Sequence, residues 1–103
     1  MAVDGIVNVR ATLVGDTDTE LTFDPAVQNI SFAIITASVT NPVYVKPRAA
    51  LTGANAAAWA TDTTAYKLTS SVRTADLHFA GQISSVHIGS ASAEEVQWHV
   101  SLR

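Results

Sequence analysis

The sequence predicts an all-β protein, an antiparallel β-sandwich or jelly-roll-like fold of about seven strands. Three observations predict this fold class. Short stretches alternate apolar and polar residues with a period of two, the periodicity of a strand with one buried face. Turn-forming residues, mainly Gly, Pro, Asn, Asp and Ser, separate these stretches. The chain has 103 residues and no cysteine, so residues 1–103 are expected to form a single domain held by an apolar core without disulfides.

The first elements lie in the N-terminal quarter of the chain. Residues 1–5 are expected to form an N-terminal arm, and the alternation from 6 to 14 predicts the first strand. Gly15 and Asp16 predict a turn, because Gly tolerates positive φ and Asp bonds to nearby backbone. A short edge strand is predicted at 20–23. We expect Pro25 to end it, because proline lacks an amide hydrogen and restricts the residue before it.

The middle of the chain predicts a central strand, a short strand and a long loop. Residues 27–39 are strongly apolar and predict a strand covered on two sides. A short strand at 43–45 is predicted to stop at Pro47, which cannot donate to a ladder. Ala, Gly, Asn and Thr dominate residues 49–65, which predicts a long loop outside the sandwich with room for a short helix.

Four further strands are predicted in the C-terminal part, at residues 66–72, 76–79, 83–88 and 95–102. The last of them carries the clearest pattern. Val96, Trp98, Val100 and Leu102 alternate with polar residues, so one side of this strand is expected to face the core. Trp98 is therefore predicted to be a core residue.

The charge composition narrows the function classes. The net charge is −3 and the six Lys and Arg residues are scattered, so the basic stripe of a nucleic-acid-binding protein is missing. No apolar run approaches the roughly 20 residues of a membrane span, and the N-terminus lacks a signal-peptide pattern, so we expect synthesis in the cytoplasm. Charged residues make up 15% of the chain, against about 25% in average domains. This surface suits either a subunit packed against other subunits or an ordinary small β-domain.

Three carboxylates, Asp16, Asp18 and Glu20, alternate in one predicted turn. Alternating acidic side chains in a loop can offer oxygen ligands to Ca²⁺. The loop lacks the glycine and the distal glutamate of an EF-hand, and the same residues suit a solvated hairpin turn. We therefore predict neither a metal ion nor another cofactor, with these three carboxylates as weak candidates for a cation.

The three histidines, His78, His87 and His99, alternate with core residues on three predicted strands. All three are expected to point away from the core. If two of these strands are neighbours, two histidines could meet on one face and bind Zn²⁺ or sense pH. Because no spacing motif supplies a further zinc ligand, the alternative is a set of polar interface residues.

The sequence contains no motif of a known catalytic type. A Gly-x-Ser-x-Gly elbow, a phosphate-binding loop and a spaced pair of carboxylates are all missing, so we predict that the protein is not an enzyme. Trp59, the large residue of the Ala-rich loop, has two interpretations. It either folds back over one edge of the sandwich or serves as an exposed anchor, because aromatic residues dominate interface energetics.

Two segments resemble small virion proteins of tailed bacteriophages. Residues 39–48 read Val-Thr-Asn-Pro-Val-Tyr-Val-Lys-Pro-Arg, and residues 77–89 read Leu-His-Phe-Ala-Gly-Gln-Ile-Ser-Ser-Val-His-Ile-Gly. Those proteins pair an Asn-Pro-aliphatic-Tyr-Val strand with a later hairpin of similar pattern and a small-residue turn before the final strand. The resemblance covers the chain from Ile30 onward, apart from the Ala-rich stretch 55–64. It implies a short β-sandwich structural subunit and no catalytic residue.

The resemblance implies a non-enzymatic structural protein of the virion, made in the host cytoplasm. Capsid decoration, in which an oligomer stabilises the shell, is the role we expect first. The implied partners are other phage structural proteins, above all the major capsid protein, and further copies of the chain; neither nucleic acid nor a membrane is expected. The predicted contact residues are Met1, Ala2, Val3, Tyr44, Lys46, Arg48 and Trp59.

Other functions remain open at this point. A tail, neck or fibre-attachment component would have the same kind of fold. A carbohydrate-binding or adhesin-like module would show exposed aromatics in a row, for which Tyr44, Trp59 and Tyr66 are the candidates. An enzyme on a jelly roll would need histidines and carboxylates to converge inside the barrel.

Overall fold

The computed structural model describes residues 6–36 and 40–101, and it has the predicted all-β, antiparallel architecture. The described strands form one six-stranded sheet in the order β1-β6-β2-β5-β3-β4, and every pair is antiparallel. The elements are β1 (Ile6–Thr12), β2 (Thr19–Ile34), β3 (Val43–Pro47), α1 (Ala56–Trp59), β4 (Tyr66–Leu68), β5 (Thr74–Ser90) and β6 (Glu95–Ser101).

Two of the strands are much longer than the sequence predicts. β2 has 16 residues and β5 has 17, and each was expected to be two separate strands. The prediction that Pro25 ends a strand is wrong: the strand continues, and the pairing of β2 with β5 shifts register between Thr22 and Val27 and again between Val27 and Asn29. A bulge interrupts the ladder, so a proline can be accommodated there without the loss of a ladder hydrogen bond.

The bulges let the sheet fold into two layers. The first layer contains β1, β6, residues 27–34 of β2 and residues 74–83 of β5. The second layer contains residues 19–22 of β2, residues 85–90 of β5, β3 and β4. Side chains of both layers belong to a single apolar cluster, so the arrangement is sandwich-like although the sheet is not closed. The fully buried members of this core include Phe32, Val43, Val45, Leu68, Val86, Ile88 and Val96.

The first half of the pattern predicted for the C-terminal strand is confirmed, whereas Leu102 and the side chain of Val100 lie outside the described part of the chain. Val96 and Trp98 are buried, and the Trp98 ring lies 6.5 Å from the ring of Phe32 on the neighbouring strand. β4 is shorter than the predicted 66–72 because the Thr69 hydroxyl accepts the amide hydrogens of Ser71 and Val72, which turns the chain after Leu68.

The Ala-rich loop contains the short helix that its composition allowed. α1 spans four residues, and over the ranges described no helix is long and apolar enough to cross a membrane. The side chain of Asn55 caps this helix by accepting the amide hydrogen of Ala58 at 3.2 Å.

Candidate functional site

The outer face of the second layer carries a group of polar and titratable side chains on three neighbouring strands. Lys46 on β3 lies opposite His87 on β5, and His87 lies opposite Glu20 on β2. One step along the same face, Tyr44 lies opposite Gly89. These positions alternate with core residues of their strands, so they face away from the main core.

Loop 49–65 covers this outer face and forms a third layer. Trp59 is 0% exposed and packs with Tyr44 and Leu51 in a second apolar cluster, separate from the main core. The indole ring lies directly on Gly89, because a Cβ at that position would be only 2.7 Å from a ring carbon. A glycine at the penultimate position of β5 thus makes room for the aromatic ring. Of the two interpretations of Trp59, the one in which it folds back onto the sandwich is correct.

Asp62 ties the end of the loop to the sheet. Its Oδ2 accepts hydrogen bonds from Lys46 Nζ at 2.8 Å and from the amide and hydroxyl of Thr52 at 3.2 and 2.9 Å. Its Oδ1 accepts from the amide and hydroxyl of Thr64 at 3.0 and 2.6 Å. Chiefly the hydrogen bond from Lys46, and then those from Thr64 and Thr52, hold the pKa of Asp62 far below its usual range. The carboxylate is therefore charged at neutral pH, although its side chain is only 4% exposed.

Asp16 and Asp18 hold the beginning of the loop. Asp18 Oδ2 accepts the amide hydrogen of Leu51 at 3.0 Å, and its Oδ1 lies 2.7 Å from His87 Nδ1. Asp16 Oδ1 accepts the amide hydrogen of Ala56, the first residue of α1, at 3.1 Å. Asp16 also has φ of 54°, a left-handed conformation that Asp tolerates better than most residues. Each carboxylate thus fastens a different point of the loop.

The acidic turn therefore has a structural role in the chain. Glu20 Oε2 lies 3.6 Å from His87 Nε2, while Asp16 and Asp18 bind backbone amides of the loop. Over residues 6–36 and 40–101, no group of three or more His, Asp or Glu side chains is arranged to hold a metal ion. Gly15 and Asp16 form the predicted turn, and the contacts of Asp16 and Asp18 with the loop add to what turn geometry alone requires.

The three histidines lie on two different faces. His78 is opposite Asn29 and His99 is opposite Ser31, so both lie on the outer face of the first layer with strand β2 between them. His78 Nδ1 is hydrogen-bonded to the side chain of Asn29. His87 belongs to the second layer. In the described strand pairings, none of the three histidines lies directly opposite another.

The predicted contact residues differ in whether the structure describes them and in how far they are buried. Met1, Ala2 and Val3 lie outside the described residues. Tyr44 and Trp59 are buried within the chain itself, which corrects their assignment as surface contacts, because loop 49–65 covers one and contains the other.

The two basic members of that set differ from each other. Lys46 is mostly covered, with its side chain 17% exposed, and binds Asp62. Arg48 is exposed, with φ of 72°, and its guanidinium carbon lies 5.4 Å from the centre of the Phe79 ring. Of the described members of the predicted set, Arg48 is thus the one with an exposed side chain.

Sequence reasoning missed Asp62 and its two threonine partners. The local signal was the run Thr61 to Thr64 around Asp62, since Asp and Thr side chains often bond the backbone two residues on. The partner Lys46 lies 16 residues away in sequence, and no spacing rule connects the two. A scan against models of known protein families and a search of curated proteins found no match to this chain.

Proposed function

We propose that the protein is a non-enzymatic structural subunit of a tailed-bacteriophage particle, with capsid decoration as its first role. One observation carries the proposal. Four titratable side chains on or beside the second layer fasten loop 49–65 to the sheet: Asp16, Asp18, Asp62 and Lys46 each hold a defined contact. A small module stiffened in this way is suited to presenting a fixed surface in an assembly.

The composition and the resemblance support the same role. Charged residues make up only 15% of the chain, which suits a surface packed against neighbouring subunits. Many copies with modest contacts can bind strongly to a symmetric shell, because multivalency multiplies weak contacts. The proposed partners are the major capsid protein and further copies of the chain, and the proposed location is the virion. A tail, neck or fibre-attachment position is the alternative within the particle.

A carbohydrate-binding module is less well supported. Such a site needs aromatic faces open to solvent, yet Tyr44 and Trp59 are buried in the loop cluster. Tyr66 is exposed to 48% but lies on the short strand β4. Among the described candidates there is thus no row of exposed aromatic rings.

The test begins with purified chain mixed with undecorated heads of tailed phages, followed by sedimentation and electron microscopy. Saturable coating of the shell at a fixed copy number, and protection of the heads against heat, is the expected result. Tail preparations and a glycan array serve as parallel samples. Binding to tails alone would move the proposal to the tail, and binding to glycans alone would overturn it in favour of a carbohydrate-binding module.

A further inference from the structure

The free edges of the folded sheet are not equivalent. β4, at one end of the strand order, has only three residues, and its Lys67 is exposed. Short edge strands with lysine resist pairing with other chains. The edges formed by residues 19–22 of β2 and 74–83 of β5 adjoin the register shifts, which interrupt a regular ladder.

β1, at the other end of the strand order, has none of these protections. It pairs with β6 at seven successive positions without a register shift, from Ile6 opposite Ser101 to Thr12 opposite Glu95. It contains no proline and one charged residue, Arg10. Within the part of the chain that the structure describes, no strand pairs with its other side. A regular edge of this length presents a row of backbone donors and acceptors.

The single charge on β1 does not block strand pairing. Arg10 Nε lies 3.5 Å from Glu95 Oε2 on the neighbouring strand, so an acidic partner in the same chain faces it. A second copy of β1 must only avoid placing its own arginine opposite this one, since like charges directly opposite each other are unfavourable.

We propose that a second copy of this chain pairs with β1 in antiparallel orientation, about a two-fold axis at Val9. This register pairs all seven residues of β1, and it places Arg10 of each copy opposite the uncharged Asn8 of the other. A register centred on Arg10 would pair fewer residues and set the two arginines face to face. The inference rests on the proposed function, because it specifies how a structural subunit associates with its own copies.

The consequence is a closed dimer with a continuous layer. The first layer of each copy contributes four strands, so the pair forms an eight-stranded layer across the two-fold axis. A two-fold contact uses the same surface on both copies, so this contact alone assembles no more than two chains. The short β4 edge gives no comparable surface for further growth into a fibre.

The experiment measures dimerisation by analytical ultracentrifugation over a concentration range for the full chain and two charge variants. Asn8→Lys places a positive charge opposite Arg10 of the copy twice per dimer, so the dimer Kd is expected to rise about tenfold. Asn8→Asp places a negative charge there, and the Kd is expected to fall. Thr74→Lys and Thr74→Asp carry the same charges on β5, at the far edge of the first layer, and should leave the Kd unchanged.

Hydrogen exchange of the unmodified chain gives a second measurement that does not depend on the folding of a variant. In the dimer, the outward-facing amides of residues 6–12 should exchange more slowly at high protein concentration than at low concentration. A chain that stays monomeric at all concentrations, or a dimer whose Kd ignores both Asn8 variants, overturns the inference. A monomer that still coats phage heads would overturn the inferred dimer and still support the proposed function. A β1-paired dimer that binds no phage structure would overturn the function alone.

Discussion

The outer faces of the two layers differ although one continuous sheet forms both. The second layer is covered by loop 49–65, which buries Trp59 against Tyr44 and Gly89. No described segment covers the first layer in this way: Asp76, His78 and His99 on its outer face are exposed. The difference teaches that a second segment can bury the outer face of a sheet under two conditions. The face must leave space for a large side chain, and charged residues must hold the covering segment in place.

The two faces use their polar residues in different ways. On the second layer Lys46 and Asp18 reach outward to a loop distant in sequence. On the first layer the one described side-chain contact of His78 is with Asn29, its partner on the neighbouring strand. The second face thus recruits another segment, whereas the contact of His78 on the first face links two neighbouring strands. Substitutions on the two faces should therefore have very different consequences.

The largest effect is expected from Trp59→Ala. It removes the centre of the covering cluster, and the loss of unfolding free energy should be about 3–5 kcal/mol, the range for a fully buried large aromatic. Urea denaturation followed by circular dichroism measures it. Tyr66→Ala, which truncates an exposed ring on the same layer, is the control and should cost about 1 kcal/mol or less. Equal losses in the two variants would mean that the loop does not act as a buried third layer.

Gly89→Ala tests the close contact between the loop and the sheet. The added methyl group would lie 2.7 Å from the Trp59 ring, so the loop must shift, at a cost of about 1–3 kcal/mol. Gly81→Ala is the matched control on the same strand, because a Cβ there meets nothing within 4 Å. Its effect should stay within about 0.5 kcal/mol. If both glycine variants behave alike, the ring does not rest on Gly89.

The sequence predicted which residues of a strand are buried, but it did not predict the bulges. The period of two correctly assigned Val96 and Trp98 to the core, because that pattern is a property of one strand alone. The bulges in β2 and β5 were missed, since a register shift leaves the local composition of a strand unchanged.

The covering of the second layer was foreseen only in part. Composition marked residues 49–65 as a separate loop, and Trp59 was recognised as a side chain that could fold back. The fastening by Asp62 was not foreseen, because its partner Lys46 belongs to another element and is brought near by the fold. Contacts of this kind depend on topology, and the spacing of residues in one sequence does not encode it.

Asp62→Asn tests whether a charge holds the loop, and its signature is a dependence on pH. The pKa of Asp62 is lowered in the folded protein, so its contribution to stability is fully present above the unfolded pKa of about 3.8. That contribution is lost as the pH falls through the lower folded value. The wild type should therefore be more stable than the variant at pH 7, and the difference should shrink below about pH 4.

Thermal melts of wild type and Asp62→Asn between pH 7 and pH 2.5 measure this difference. Asn keeps the shape of the side chain and one acceptor oxygen, so the variant should still fold. Asp76→Asn makes the same change of charge on the uncovered face and is the control, with an effect within about 0.5 kcal/mol at pH 7. A difference for Asp62→Asn that is constant with pH would show that the amide geometry matters and the charge does not.

The smallest effect is expected at the start of α1. Asn55→Ala removes the oxygen that accepts the Ala58 amide hydrogen, and the loss of such a cap costs about 1 kcal/mol. Asn55→Ser keeps a capping oxygen and should retain most of the stability. Trp59 is the last residue of α1, so fraying of this helix should loosen the packing of the Trp59 ring on the sheet. Hydrogen exchange of the Trp59 indole N–H measures this loosening. Faster indole exchange in Asn55→Ala, with exchange in Asn55→Ser near that of the wild type, is the expected result. Unchanged exchange in both variants would mean that the apolar contacts with Tyr44 and Gly89 hold the ring in place without help from the helix cap.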